Sequence, residues 1–154
     1  MQLVSIKAPL AHFPGIDKIA VGIAIYQEFK LYPDFLGHAG AFERNKLATQ
    51  SNLFKFHIAL LEADFNAKSW KSNANQGDKR TSDNFVLYVQ HYWHENFYQI
   101  LDILTPEAHS RIDVLLPQYI EQAEQFHSLR LMELQALTNF SVEHQLAKQL
   151  MLTK

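Results

Sequence analysis

Two strongly β-forming runs, Phe85–Trp93 and Phe97–Leu104, stand only three polar residues apart, at His94-Glu95-Asn96. Aromatic and β-branched residues dominate both, and runs of that kind joined by so short a polar break make a β-hairpin. A hairpin alone is marginal in water, so the rest of the chain must supply another strand and a cover for its apolar surface. The segment Leu53–Leu61 supplies the strand. In it Phe54, Phe56 and Ile58 alternate with Lys55 and His57, which puts the apolar side chains on one face and the ammonium and imidazole on the other.

The cover is helical. Ile16, Ile19, Ala20, Ile23 and Tyr26 recur at the spacing of one helix face, in a helix expected to stop before Pro33. Thr105-Pro106-Glu107 offers an N-cap, a proline at the first helical position and an acid in the first turn. The helix it opens is expected to be interrupted or restarted at Pro117, to continue along the stripe from Tyr119 to Leu137, and to be followed by a last amphipathic segment from Ser141 to Leu152. Residues 3–8 lean toward a strand. Asp34–Ser51, with Gly37 and Gly40, shows only a weak helical pattern around Phe42–Leu47, and Glu62–Asn84 reads as one long loop of the kind that carries function. The resulting order of strand, helix, strand, hairpin and helices predicts the α+β class. It predicts a small antiparallel sheet covered by helices on one face, with an extra C-terminal helix. A length of 154 residues suits one domain, in which residues 131–154 form a helical extension.

With no cysteine, thiolate catalysis, Cys-ligated zinc and a disulfide framework are all excluded. No apolar leader and no long apolar run is readable, so a soluble, cytoplasmic protein without membrane contact is expected. The net charge of −2 is unevenly spread. Residues 1–43 hold three Lys/Arg against four Asp/Glu, residues 44–80 seven against three, and residues 81–154 four against nine. The middle third, from Arg44 and Lys46 through Lys55, Lys68, Lys71 and Lys79 to Arg80, is a basic island. It reads either as a solvated loop or as a seat for a phosphate backbone.

Five pieces of the chain fall in a recognisable order: Tyr32-Pro33-Asp34-Phe35-Leu36-Gly37, the strand ending Lys55-Phe56-His57, Arg80-Thr81-Ser82-Asp83, the hairpin turn at Glu95, and Pro106-Glu107-Ala108-His109-Ser110-Arg111. In order and approximate spacing they resemble the YafO-type toxins of bacterial type II toxin-antitoxin modules, over roughly residues 20–130. The resemblance implies kinship with the RelE/ParE-like superfamily and its small sheet with packed helices. It also implies an endoribonuclease that cuts messenger RNA on the translating ribosome and is silenced by a cognate antitoxin. Residues 131–154 extend past the matched stretch and offer a surface for homodimerisation or antitoxin docking.

Metal-independent RNA cleavage uses the 2′-hydroxyl of the substrate as nucleophile. The protein then supplies a base, an acid for the leaving 5′-oxygen, and cations for the charge on phosphorus. The composition permits this with no cofactor and no metal. His57, Arg80 and His109 are the candidate catalytic residues, with Lys55, Lys68, Lys71, Lys79 and Arg111 as candidate RNA-binding cations. His57 is expected on the open face of the sheet beside Lys55, or else half-buried against a carbonyl. Arg80 closes the basic loop and binds phosphate, or else pairs with Asp78 or Asp83. His109 and Arg111 sit in the first turns of a helix, where free amides favour an anion and a neutral imidazole. On a strand, His91 and His94 would point to opposite faces, which argues against a shared metal. Tyr92, Trp93, Phe97 and Tyr98 flank the turn, where they either stack on bases or pack across strands. The rival readings are a non-catalytic module presenting the Ile16–Phe29 and Tyr119–Leu137 faces to a protein partner, and a toxin of the same fold acting on another target such as a topoisomerase.

Overall fold

In the computed structural model, which describes residues 1–152, the hairpin is formed by β4 (Phe85–Gln90) and β5 (Phe97–Leu104), paired antiparallel. Phe85 through Val89 are buried without a break, so β4 is apolar on both faces and needs a cover on each. The expectation of helices on one face is corrected accordingly. One face packs against α1 (Ile16–Phe29) and α7 (Gln145–Leu152), where Phe56, Val86, Tyr88 and Ile100 meet Ile19, Ile23, Ala147 and Leu150. The other packs against α5 (Ala108–His127) and α6 (Leu131–Ala136), where Leu53, Phe85, Leu87 and Leu104 meet Ile112, Leu116, Tyr119 and Leu134.

The sheet has five strands in the order β1-β5-β4-β3-β2, completed by β1 (Leu3–Ile6), β2 (Leu36–Ala41) and β3 (Leu53–Ile58). The fold is α+β with a C-terminal helix, as expected. The sheet is mixed rather than antiparallel throughout, because β1 runs parallel to β5. Val4 also exchanges backbone hydrogen bonds of 2.9 and 2.7 Å with Phe140, which ties the start of the chain to the segment before α7.

Several local readings change. Leu-Gly-His-Ala-Gly-Ala has little strand propensity of its own, yet forms β2 because β3 offers it a ladder. The weak helical pattern beside it resolves into α2 (Lys46–Gln50), capped by the Asn45 side chain accepting from the Ala48 N–H at 3.0 Å. The expected long loop folds into α3 (Glu62–Asn66), α4 (Lys68–Lys71) and a 3-10 turn at Gly77–Lys79. Trp70 pins this stretch: its ring is buried and its indole N–H donates to the Asp34 carbonyl at 2.7 Å. α5 begins at Ala108 rather than at Pro106, and it runs through Pro117 unbroken. Pro117 is exposed, while Ile112, Leu116 and Tyr119 around it are held in the core, so packing offsets the one lost backbone bond.

Gly37 has no room for a side chain. A Cβ there would lie 2.5 Å from the Arg80 carbonyl oxygen and 2.8 Å from the Trp70 ring, whereas one on Gly40 would meet nothing nearer than 3.4 Å. Gly37→Ala is therefore expected to lower the unfolding free energy by about 1–3 kcal/mol in urea titrations, with Gly40→Ala changing it far less.

Candidate active site

β2 and β3 do not pair one to one. Leu36 faces Ile58 and Ala39 faces Phe56, so Gly37 and His38 together oppose the single residue His57. A bulge of this kind re-aims a side chain, and here it sets the His38 ring 6.0 Å from that of His57. On its other side His57 lies 5.5 Å from the ring of His109, in the first turn of α5. Phe85, the register partner of His57, meets both rings edge to face at 5.0 and 4.8 Å. Three imidazoles from two strands and one helix thus form a row.

Each has a different environment. His57 is only 6% exposed, and its Nδ1 is 2.8 Å from the Ser82 carbonyl oxygen and 2.9 Å from the Ser82 amide nitrogen. Burial, reinforced by Lys55, His109 and His38 and opposed by the Ser82 contact, pushes its pKa from 6.5 down to about 4. It is neutral at physiological pH. His109 is well exposed; its Nδ1–H donates to Asp83 Oδ1 at 2.8 Å, and the same oxygen accepts the His109 backbone N–H at 2.8 Å. The main-chain N–H of His109, together with its ring, holds the Asp83 carboxyl below the usual range. With Nδ1 committed to the carboxylate, Nε2 of His109 is the free nitrogen. His38 is exposed and donates Nδ1–H to the Asp78 carbonyl at 2.9 Å, which also leaves its Nε2 outward.

Lys55, two residues before His57 on the same strand face, holds its Nζ 4.3 Å from the Phe85 ring centroid and 5.2 Å from that of Phe42. Burial lowers its pKa and the nearby Asp113 opposes the shift. This face is the one that α5 covers, so Lys55 and His57 lie at the border of that cover rather than on an open sheet surface.

Among the candidate catalytic residues, His57 and His109 come together and Arg80 lies apart. The Arg80 guanidinium is 2% exposed and donates to the carbonyls of Leu36 at 2.6 and 3.0 Å, Ala74 at 3.0 Å and Pro33 at 2.9 Å, with the Trp70 ring against it. Its own carbonyl accepts the His38 N–H at 2.8 Å. Lys68, Lys71 and Lys79 are exposed on the neighbouring helical stretch. Arg111 is two residues from both His109 and Asp113 and so points to the other flank of α5, where it donates to the Pro106 carbonyl at 2.9 Å. Sequence reasoning missed His38 and gave Asp83 no role beyond pairing with Arg80.

β4 ends at Gln90, so the strand argument about His91 and His94 does not apply, and their rings approach to 5.3 Å. His91 is fully engaged: Nδ1 accepts the N–H groups of Trp93 and His94 and Nε2 donates to the Leu129 carbonyl. Tyr92 stacks on His127, Phe97 and Tyr98 are core, and Trp93 is exposed. Among the described residues no three His, Cys, Asp or Glu side chains are arranged to hold a metal ion.

Because the folded protein keeps His57 neutral down to about pH 4 while an unfolded chain protonates near 6.5, the unfolded state binds more protons between those values. Stability is therefore expected to fall as pH drops through that window, with His57 contributing about 1.4 kcal/mol per unit. Buried His91 and His127, also shifted down, add in the same direction. Urea unfolding at about pH 7 and about pH 5 should show a smaller difference in His57→Gln than in the wild type. Arg80→Ala, which leaves three carbonyls without their donors, is expected to lose about 3 kcal/mol or more at either pH.

A family model describing the toxin YafO of type II toxin-antitoxin systems matches residues 24–128, which contain β2 through β5, the imidazole row, Asp83 and the whole of α5. Searches of the curated proteins and of the solved structures found no match. No helix among the described residues is long and apolar enough to cross a membrane. With more than half of its length matched, the chain belongs to the YafO family, and is the toxin of a type II toxin-antitoxin module with a cognate antitoxin as its partner.

Proposed function

We propose that the toxin is a metal-independent endoribonuclease that cuts messenger RNA on the ribosome and so stops translation. The observation that carries this reading is the His109–Asp83 pair set 5.5 Å from a neutral, buried His57. In the proposed reaction Nε2 of His109 takes the proton from the 2′-hydroxyl. The Asp83 carboxylate fixes the tautomer and stabilises the imidazolium that forms. The 2′-oxygen attacks the adjacent phosphorus, a 2′,3′-cyclic phosphate forms, and the bond to the 5′-oxygen breaks. His38, on the far side of His57, protonates that leaving oxygen in its imidazolium form. Uncharged His57 and the Lys55 ammonium face the developing charge on phosphorus, and the low polarity that depresses their pKa values strengthens their hold on it.

Arg80 enters as a positioning residue, since its donors are spent on the carbonyls that fix the start of β2 and, through them, His38. Lys68, Lys71, Lys79 and Arg111 remain candidate contacts for the more distant RNA backbone, where each would add to affinity through counterion release rather than to the chemical step.

Induced expression is expected to halt growth and to leave cut messages on ribosomes. His109→Ala should lower cleavage by about 10²–10⁴-fold with an unchanged thermal midpoint, and His38→Ala by a comparable factor. Purified toxin should cut message in a cell-free translation reaction with a bell-shaped pH dependence, whose limbs report the base and the acid. Intact messages after verified expression of folded protein would remove the nuclease reading.

A further inference from the structure

His38 and His57, two members of the imidazole row, line a concavity of about 650 Å³ that passes around the border strand β2 and continues on the α1 side of the sheet. It crosses β2 at Ala39, Gly40 and Ala41, where no side chain of the strand is taller than a methyl group and the Lys55 stem lies over Gly40. Lys55 and His57 line one half; Tyr26, Lys30, Phe54 and Tyr88 line the other.

Aromatic rings in the second half form a column with one open end. Phe56 stacks on Tyr88 at 5.3 Å and 17°, and Tyr88 stacks on Phe54 at 5.7 Å and 29°. Beyond Phe54 the next residue across the sheet is Ala41, which carries no ring to continue the column. Phe54 is accordingly only half-buried, although it stands on the apolar face of its strand. Across the trough, Lys30 holds its ammonium 4.7 Å from the centroid of Tyr26. The trough therefore presents the half-buried Phe54 ring with the Lys30 ammonium in the same half, while the Lys55 ammonium lies in the half across β2 and the Glu43 carboxylate stands on the wall. A ring with ammonium groups on the path beyond it suits a planar base attached to a phosphate and is tolerant of base identity.

We propose that Phe54 is the floor of a nucleobase subsite. One base of a single-stranded RNA leaves its neighbours and extends the Phe56–Tyr88–Phe54 column, while the attached backbone crosses β2 at Gly40 to bring its phosphate to His57. This rests on the ribonuclease reading and deepens it, because it fixes where the strand enters and explains why the border strand is built from glycine and alanine.

The test is the rate of message cleavage at subsaturating message in a cell-free translation reaction, compared among wild type, Phe54→Leu and Phe54→Tyr. Phe54→Leu keeps apolar bulk but removes the π face, and is expected to cut about tenfold more slowly, whereas Phe54→Tyr should cut at nearly the wild-type rate. Equal thermal midpoints establish that both variants fold. Should the wild type cut and Phe54→Leu cut equally well, the subsite is wrong while the nuclease stands. If Phe54→Leu cuts normally but resists the antitoxin, the trough holds a protein segment and the proposal is likewise overturned. A wild type that leaves message intact overturns the nuclease reading and the subsite with it.

Discussion

A guanidinium with no carboxylate among the described residues in ion-pairing distance lies buried beneath Trp70, and the packing around β2 and the start of α5 is organised by the need to satisfy it. Removing such a group from water costs several kcal/mol unless its N–H donors find acceptors. Arg80 finds them in the carbonyls of Pro33, Leu36 and Ala74, which draws the start of β2, the stretch after α4 and the approach to β4 onto one point. The residues that follow inherit a fixed position. Ser82 Oγ accepts from the Ile58 N–H and donates to the Ile58 carbonyl, Ser82 backbone groups meet His57, and Asp83 closes the first turn of α5. A single buried cation thereby sets the spacing of groups drawn from three separate elements.

The three imidazoles show how differently one residue type can be surrounded within a few ångströms. His57 is kept uncharged by lack of water, His109 is backed by a carboxylate, and His38 faces solvent with its inner nitrogen on a carbonyl. Under the proposed mechanism neighbouring imidazoles must serve unlike roles, and burial at His57 and the carboxylate at His109 give them unlike surroundings.

The sequence made the hairpin legible because aromatic and β-branched residues crowd two adjacent runs, and it made β3 legible because Phe54, Phe56 and Ile58 alternate with Lys55 and His57. β2 was hidden, since glycine, histidine and alanine carry no strand preference and the pairing that holds them comes from a neighbour. His57 and His109 were visible as titratable residues at element ends. His38 was not, because its place depends on the bulge beside Gly37. Arg80 was misplaced for a related reason: a cation closing a basic stretch looks exposed, and only tertiary structure shows that main-chain carbonyls surround it.

The two borders of the sheet are each only partly covered. At β1 the outer row of backbone groups is partly occupied by Phe140, and at β2 by Arg80, whose carbonyl accepts from His38 and whose guanidinium donates to Leu36 without forming a further strand. An uncovered, regular border is a template on which other chains can stack into aggregates, and short length or an irregular step is what disarms it. β2 has both: six residues interrupted between Leu36 and Ala39. The same extra residue that turns His38 toward its companions thus breaks the repeat a fibril would have to copy, so straightening this strand would expose the toxin to self-association as well as scatter its imidazoles.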